Sequence, residues 1–326
     1  MINKKRLLPT IALALITALP LASGAPVKNK NTKINSVQLH YHTTEVDGVE
    51  VFYREAGPKN APVILLLHGF PTSSHMFRNL IPQLADKYHV IAPDYPGFGQ
   101  SAMPEPAKFA YTFDNYAHVM GKLTQQLGVN RYAMYLMDYG APIGYRLASA
   151  NPEKVTALII QNGNAYNEGL EKFWDPIKAY WQTGGQTERE AIRWLTTIKA
   201  TNWQYTNGVK DTTLVSPDTW TIDQAQLDRS GNAEIQLDLF YDYRTNIPLY
   251  PQWQEYFRNH KPPTLVIWGQ NDAIFVAAGA TPYKRDIPDA EIHMLDTGHF
   301  ALETHGSEIA NHMRHFLGRH LKPKAH

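Results

Sequence analysis

Cysteine is absent from all 326 residues, which excludes disulfide staples, thiolate metal sites and a cysteine nucleophile in one observation. An excess of charge of either sign is also missing. The chain balances 31 Lys and Arg against 30 Asp and Glu, for a formal net charge of +1. No strong field is left to gather nucleic acid or an anionic membrane surface. Internal repeats, low-complexity tracts and blocks of like charge are lacking too, so neither a repeat array nor a disordered interaction protein fits. Long apolar runs are confined to the N-terminus.

That one run has a specific build. In MINKKRLLPTIALALITALPLASGAPVK, the basic residues Lys4, Lys5 and Arg6 precede an apolar stretch from Leu7 to about Ala22, and Ser23-Gly24-Ala25 supplies small residues after it. The pattern predicts a secretory signal peptide over residues 1 to 25, too short for a spanning anchor, and hence a periplasmic or secreted protein with no stable membrane anchor after cleavage. Cleavage removes three basic side chains and no acidic ones, moving the formal charge from +1 to −2. At 43% hydrophobic and 19% charged residues, the chain can bury one large core with an insertion.

VQLHYHTTEV and VEVFYREAG alternate in hydrophobicity around Asp47-Gly48, a hairpin signal. Val63 to Leu67 is a continuous apolar run, as a strand covered on both faces requires. The rhythm continues with a helix from Ser74 to Lys87, a strand from Tyr88 to Ala92, a helix from Phe113 to Leu127, a strand from Tyr132 to Met137, a helix from Pro142 to Ser149 and a strand from Val155 to Ile160. Strands alternating with helices predict a parallel α/β sheet. Residues 165 to 250 differ: they carry Trp174, Trp181, Trp194, Trp203 and Trp220 and no buried-strand run, which predicts an inserted cap of helices. The core spans 36 to 164 and resumes over 251 to 322 with PTLVIWGQND, a helix from Ala277 to Arg285, AEIHMLDTGHF and a helix from Ser307 to Leu321.

Three predicted strand ends carry polar side chains: Asp138, Asp272 and His299. Ligands gather at the carboxyl ends of strands in open α/β sheets, so groups far apart in sequence converge there. The order nucleophile, acid, histidine, with a strand, sharp turn and helix around the first, matches a nucleophile elbow. HGFP (68 to 71), DYPGFGQS (94 to 101), MDYGA (137 to 141), GQND (269 to 272) and DTGHF (296 to 300) occur in an order that resembles the aspartate-nucleophile α/β-hydrolases: epoxide hydrolases, haloalkane dehalogenases and fluoroacetate dehalogenases. The resemblance runs from about residue 45 to 320. It implies an α/β-hydrolase fold with a mostly parallel eight-stranded sheet, flanking helices and a helical cap, and no cofactor.

It also implies roles. Asp138 would attack saturated carbon to form an alkyl ester, and His299, oriented by Asp272, would activate water to hydrolyse it. The backbone N–H groups of Phe70 and Tyr139 would hold the oxyanion. His68 and Ser101 read as structural, and the other histidines as solvated rather than metal ligands. Haloalkane dehalogenases place an indole after the nucleophile, and fluoroacetate dehalogenases place arginines one and four residues after it. This chain has Tyr139 and Pro142 at those positions. Epoxide hydrolases use two cap tyrosines to protonate the ring oxygen. AYWQTGGQTERE (179 to 190) and FYDYRTN (240 to 246) resemble those segments, assigning Tyr180 and Tyr243, with Tyr205, Tyr241 and Tyr250 as substitutes. The expected activity is opening of an apolar or aromatic epoxide, a small-molecule substrate, to a vicinal diol. The alternatives are haloalkane dehalogenation by the same triad and noncatalytic binding of a hydrophobic ligand.

Overall fold

The computed structural model describes residues 37–321. The leader expected over residues 1 to 25 lies outside the described residues. Eight strands form one sheet: β1 (Leu39–Val46), β2 (Val49–Ala56), β3 (Val63–Leu67), β4 (His89–Pro93), β5 (Tyr132–Met137), β6 (Val155–Gln161), β7 (Thr264–Gly269) and β8 (Glu291–Leu295). Their spatial order is β1-β2-β4-β3-β5-β6-β7-β8, with β2 antiparallel to both β1 and β4 and every other neighbouring pair parallel. Asp47 and Gly48 turn the β1–β2 hairpin, both at positive φ (48° and 82°), as a tight two-residue turn requires.

The central strands are apolar throughout because both faces are covered. Leu65, Leu67, Met134, Leu136, Leu158, Ile160, Val266 and Trp268 feed one core cluster, while their alternating neighbours Ile64, Leu66, Ala133, Tyr135, Ile159, Leu265 and Ile267 feed the other. A period of two thus supplies both cores from one sheet.

Helices cover those faces: α1 (Ile81–Leu84), α2 (Phe113–Gln126) and α3 (Gly140–Ala150) precede β6, and α10 (Tyr283–Asp286) and α11 (Ala301–His320) follow β7. The helix expected from Ser74 to Lys87 is a 3₁₀ turn at Ser74–Phe77 followed by α1. Pro82 lacks the N–H that a continuous helix from Ser74 needs there, and Ser74 N instead donates to Asp94 Oδ1 at 2.7 Å. The last helix starts earlier than its periodicity predicts. A non-helical residue at His305 (φ −122°, ψ 22°), beside Gly306, breaks the repeat and hides its first turn from the pattern.

Between β6 and β7 the chain is helical: α4 (Asp175–Thr183), α5 (Gln186–Ile192), α6 (Ile198–Thr206), α7 (Pro217–Leu227), α8 (Asn232–Asp242) and α9 (Tyr250–His260), with 3₁₀ turns between. Cap residues bond to the core where the two layers meet. Asp242 Oδ2 accepts from Phe113 N at 2.9 Å, Trp174 Nε1 donates to Ile274 O at 2.7 Å, and Arg229 Nη2 donates to Gly97 O at 2.7 Å.

Candidate active site

Asp138 follows β5 and precedes α3, with φ of 50°, an uncommon value for a residue with a Cβ. The turn is tight because its neighbours are small. A Cβ on Gly140 would lie 2.3 Å from Leu67 O, and one on Gly69 would lie 2.3 Å from Asp138 Cβ. Glycine at both positions lets the elbow press against the end of β3.

Two backbone donors meet the Asp138 carboxylate on one oxygen. Tyr139 N donates to Oδ1 at 2.6 Å and Phe70 N donates to the same atom at 2.8 Å. Oδ2 receives neither and faces His299, whose Nε2 is 3.7 Å away and has no hydrogen-bond partner. The other ring nitrogen is committed: His299 Nδ1 meets Asp272 Oδ2 at 2.7 Å. Asp272 is held in turn by Ile274 N on Oδ1 (2.7 Å) and by Asn162 Nδ2 on Oδ2 (2.8 Å). Asp138, Phe70, Tyr139, Asp272 and His299 therefore converge at neighbouring strand ends.

Electrostatics follow from burial. Desolvation pushes the Asp138 carboxyl above its ordinary range, opposed by His299 and the two N–H donors. For His299, burial alone would lower the imidazole, but the charge and hydrogen bond of Asp272 override it and leave the group raised. A raised histidine beside a carboxylate with one free oxygen can act as base toward a water once the neighbouring charge is consumed.

The chamber above Asp138 is narrow, about 10 Å³, and is walled by Phe70, Tyr139, Phe173, Trp174, Leu195, Gln204, Phe240 and Ile274. That space suits about one water, so substrate entry requires side chains or cap elements to move. The lining is apolar and mostly aromatic, apart from the Tyr139 hydroxyl and the Gln204 carboxamide.

Neither tyrosine assigned from sequence is among the side chains that wall this chamber. Tyr243 is fully buried, stacks on Trp181 (ring centroids 5.9 Å apart) and lies 6.1 Å from the Tyr139 ring. Its hydroxyl meets that of Tyr250, which also accepts from Asn164 Nδ2 at 2.9 Å. Burial, then Tyr250 and Asp138, raise the Tyr243 phenol well above its ordinary value. Tyr180 is not brought to the chamber: its hydroxyl accepts from Arg189 Nη1 at 2.8 Å, and Arg189 is anchored by Asp238 (2.6 Å) and Glu234 (2.9 Å) on the outer side of the cap. Tyr205 is committed to Asp223 (2.5 Å), and the Tyr241 ring lies under Arg244, 3.6 Å from its guanidinium carbon.

His68 braces the loop after β3, with Nδ1 2.9 Å from Gly69 O and Nε2 accepting from Tyr95 N at 3.3 Å. Burial lowers its pKa to about 4. Ser101 donates to Asp94 O (2.7 Å) and accepts from Phe52 N (2.9 Å), a structural bridge rather than a nucleophile. Two supporting residues escaped the sequence reading. Asn162, at φ 46°, accepts from Gly269 N at 2.9 Å while it holds Asp272. Gln161 Nε2 donates to His299 O at 2.8 Å, fixing the backbone of the base. Their signal was a Gln and an Asn at the carboxyl end of an apolar strand, the end of the sheet where ligands gather.

An eight-stranded, mostly parallel sheet with an aspartate at the elbow after β5, an acid after β7 and a histidine after β8 defines a hydrolase of the α/β-hydrolase class. The chain belongs to the alpha/beta hydrolase fold family, whose model matches residues 62–306. It is 47% identical over 282 residues to an uncharacterized hydrolase of Saccharomyces cerevisiae, covering 85% of this chain and 97% of the yeast protein. A haloalkane dehalogenase of Psychrobacter cryohalolentis is 26% identical over 295 residues, covering 84% of this chain and 89% of its own. Among solved structures, an epoxide hydrolase of Vigna radiata superposes with a TM-score of 0.69 at 22% identity, over 86% of this chain and 98% of that one.

Proposed function

We propose that this hydrolase opens small apolar or aromatic epoxides to vicinal diols through an ester on Asp138. The carrying observation is the division of labour on one carboxylate: Oδ1 is held by two N–H donors, while Oδ2 faces an unpartnered imidazole nitrogen at 3.7 Å. Oδ2 attacks an epoxide carbon and the ring C–O bond breaks toward oxygen. Tyr243 supplies the proton, and its contact with Tyr250 spreads the charge left on the phenolate. In the second half His299 takes a proton from water, and the hydroxide adds to the Asp138 ester carbonyl. Negative charge then develops on Oδ1, where the Phe70 and Tyr139 N–H groups already point. Collapse releases the second product oxygen, protonated by His299. The proton of the regenerated Asp138 carboxyl returns to the Tyr243 phenolate.

Haloalkane dehalogenation is the rival. Against it, the indole that walls the chamber has spent its N–H group on a backbone carbonyl: Trp174 Nε1 donates to Ile274 O at 2.7 Å. An assay scoring diol and halide together over epoxides and haloalkanes separates the two. The expected result is diol from a styrene oxide-like substrate with halide release at least about tenfold slower, a gap of about 1.4 kcal/mol in barrier; halide release alone would reject the epoxide reading. A single turnover in heavy-oxygen water is expected to return light oxygen from Asp138 to product. Export is part of the same proposal, on the basic-then-apolar pattern of residues 4 to 25, and mature protein outside the cytoplasm beginning near residue 26 is its check.

The two halves should respond differently to acid. Ester formation needs ionised Asp138, which stays charged until pH falls through its own titration. Ester hydrolysis needs neutral His299, an imidazole that burial would lower but Asp272 holds up, and is lost as pH falls through the titration of that group in the intermediate. Esterification removes the Asp138 charge that helps raise His299, so the histidine in the intermediate titrates lower than in the free enzyme. Rapid-quench measurements should show the covalent fraction rising on acidification. Equal loss of both steps would contradict the assignment of His299 to the second half.

A further inference from the structure

Two polar side-chain groups of the chamber wall are unused in the scheme above, the Tyr139 hydroxyl and the Gln204 carboxamide, and Gln204 is the one contributed by the cap. Gln204 comes from α6, lines the same space as Asp138 and is only 3% exposed, yet its Nε2 has no hydrogen-bond partner. The other buried carboxamide donors around the site are committed: Gln161 to Asn162 and His299 O, Asn162 to Asp272, and Asn164 to Tyr166 O and Tyr250. A buried N–H is costly to leave unpaired, and native proteins rarely do so without a reason. Gln204 walls the reaction chamber, so a molecule taken up there can supply the missing partner. The position expected to supply a second donor, Tyr180, is turned to Arg189 instead.

Resting on the aspartyl-ester reading, we infer that Gln204 is the second donor to the epoxide oxygen, in the role that the resemblance assigned to Tyr180. As Asp138 Oδ2 bonds to carbon, the electron pair of the breaking C–O bond moves onto the ring oxygen. Gln204 donates a hydrogen bond to that oxygen and keeps its proton, because a carboxamide is far too weak an acid to transfer it. Tyr243 remains the proton source. A neutral N–H suits this task beside a carboxylate: a cation would pair with Asp138 and blunt its attack, whereas an amide gains most when charge appears on the leaving oxygen. The contribution falls on ester formation alone, since in hydrolysis the charge develops on Oδ1 under the Phe70 and Tyr139 donors.

The test separates the two half-reactions. In the full-length protein, Gln204→Met removes the donor at similar volume, and Gln204→Glu keeps the shape while replacing the N–H by an acceptor. Each is made alone and together with His299→Gln, which accumulates the ester. With styrene oxide, single-turnover ester formation is expected to slow by about 100-fold in both Gln204 variants. Hydrolysis of ester already formed, followed in the His299-containing proteins, stays within about twofold, and Gln204→Asn recovers part of the loss. Unchanged ester formation overturns the inference. Slower hydrolysis with normal ester formation also overturns it and makes Gln204 a water-positioning residue. If Gln204→Met fails to fold, Gln204→Glu decides alone. The underlying reading fails separately: no ester on Asp138 in the His299→Gln protein, across epoxides, rejects both.

Discussion

Replacing His299 with glutamine is expected to produce a protein that consumes one equivalent of epoxide and stops. Glutamine keeps a polar side chain near Asp272 but cannot remove a proton from water. Turnover should fall by about 10²–10⁴, the usual contribution of a positioned general base. Ester formation should continue because the N–H groups of Phe70 and Tyr139, which hold Oδ1 and leave Oδ2 free to attack, are not touched by the substitution. Intact-mass and peptide mass spectrometry should find Asp138 heavier by the mass of the epoxide. An unmodified Asp138, or normal turnover, would remove histidine from the second step.

The second large effect is on Asp138 itself. Asp138→Asn retains the side-chain shape, tolerates the positive φ and keeps an oxygen for the two N–H donors, but a carboxamide does not displace a leaving group at saturated carbon. Diol formation should drop by about 10⁴ or more. Stability should move the other way. Burial raises the folded-state carboxyl above its unfolded value, so at neutral pH the unfolded chain holds this charge more comfortably than the folded one does. Removing the charge deletes that penalty above the raised titration, and the melting temperature at neutral pH should rise. Such a trade of stability for activity is common where a charge is buried for chemistry. A variant that melts lower than the parent and keeps turnover within about tenfold would contradict both expectations.

Much of this site is written in the sequence because it depends on strand ends. Apolar runs at 63–67, 132–137 and 264–269 fix strands buried on both faces, and whatever follows them must emerge at one edge of the sheet. Asp138, Asp272 and the HGFP loop could therefore be placed before any coordinates. His299 follows β8, whose partly exposed EIHML is a weaker strand signal, but the GHF after it located the histidine. The cap was less legible. Which way a helical tyrosine points depends on partners remote in sequence: Tyr180 is turned by Arg189, which is fixed by Glu234 and Asp238 about fifty residues away. Gln204 carried no signal at all, since a glutamine in an aromatic-rich helix reads as a solvent-facing position. Only the packing of α6 over the elbow shows it enclosed with Asp138.

The unequal treatment of the two Asp138 oxygens has a consequence for the enzyme's own atoms. Oδ1, pinned by two amides, never leaves through repeated catalysis, whereas the atom at Oδ2 departs with every diol and is replaced from solvent. The nucleophile is thus half permanent and half renewed, and its isotopic composition keeps a tally that stops at one exchanged atom as long as the carboxylate does not rotate.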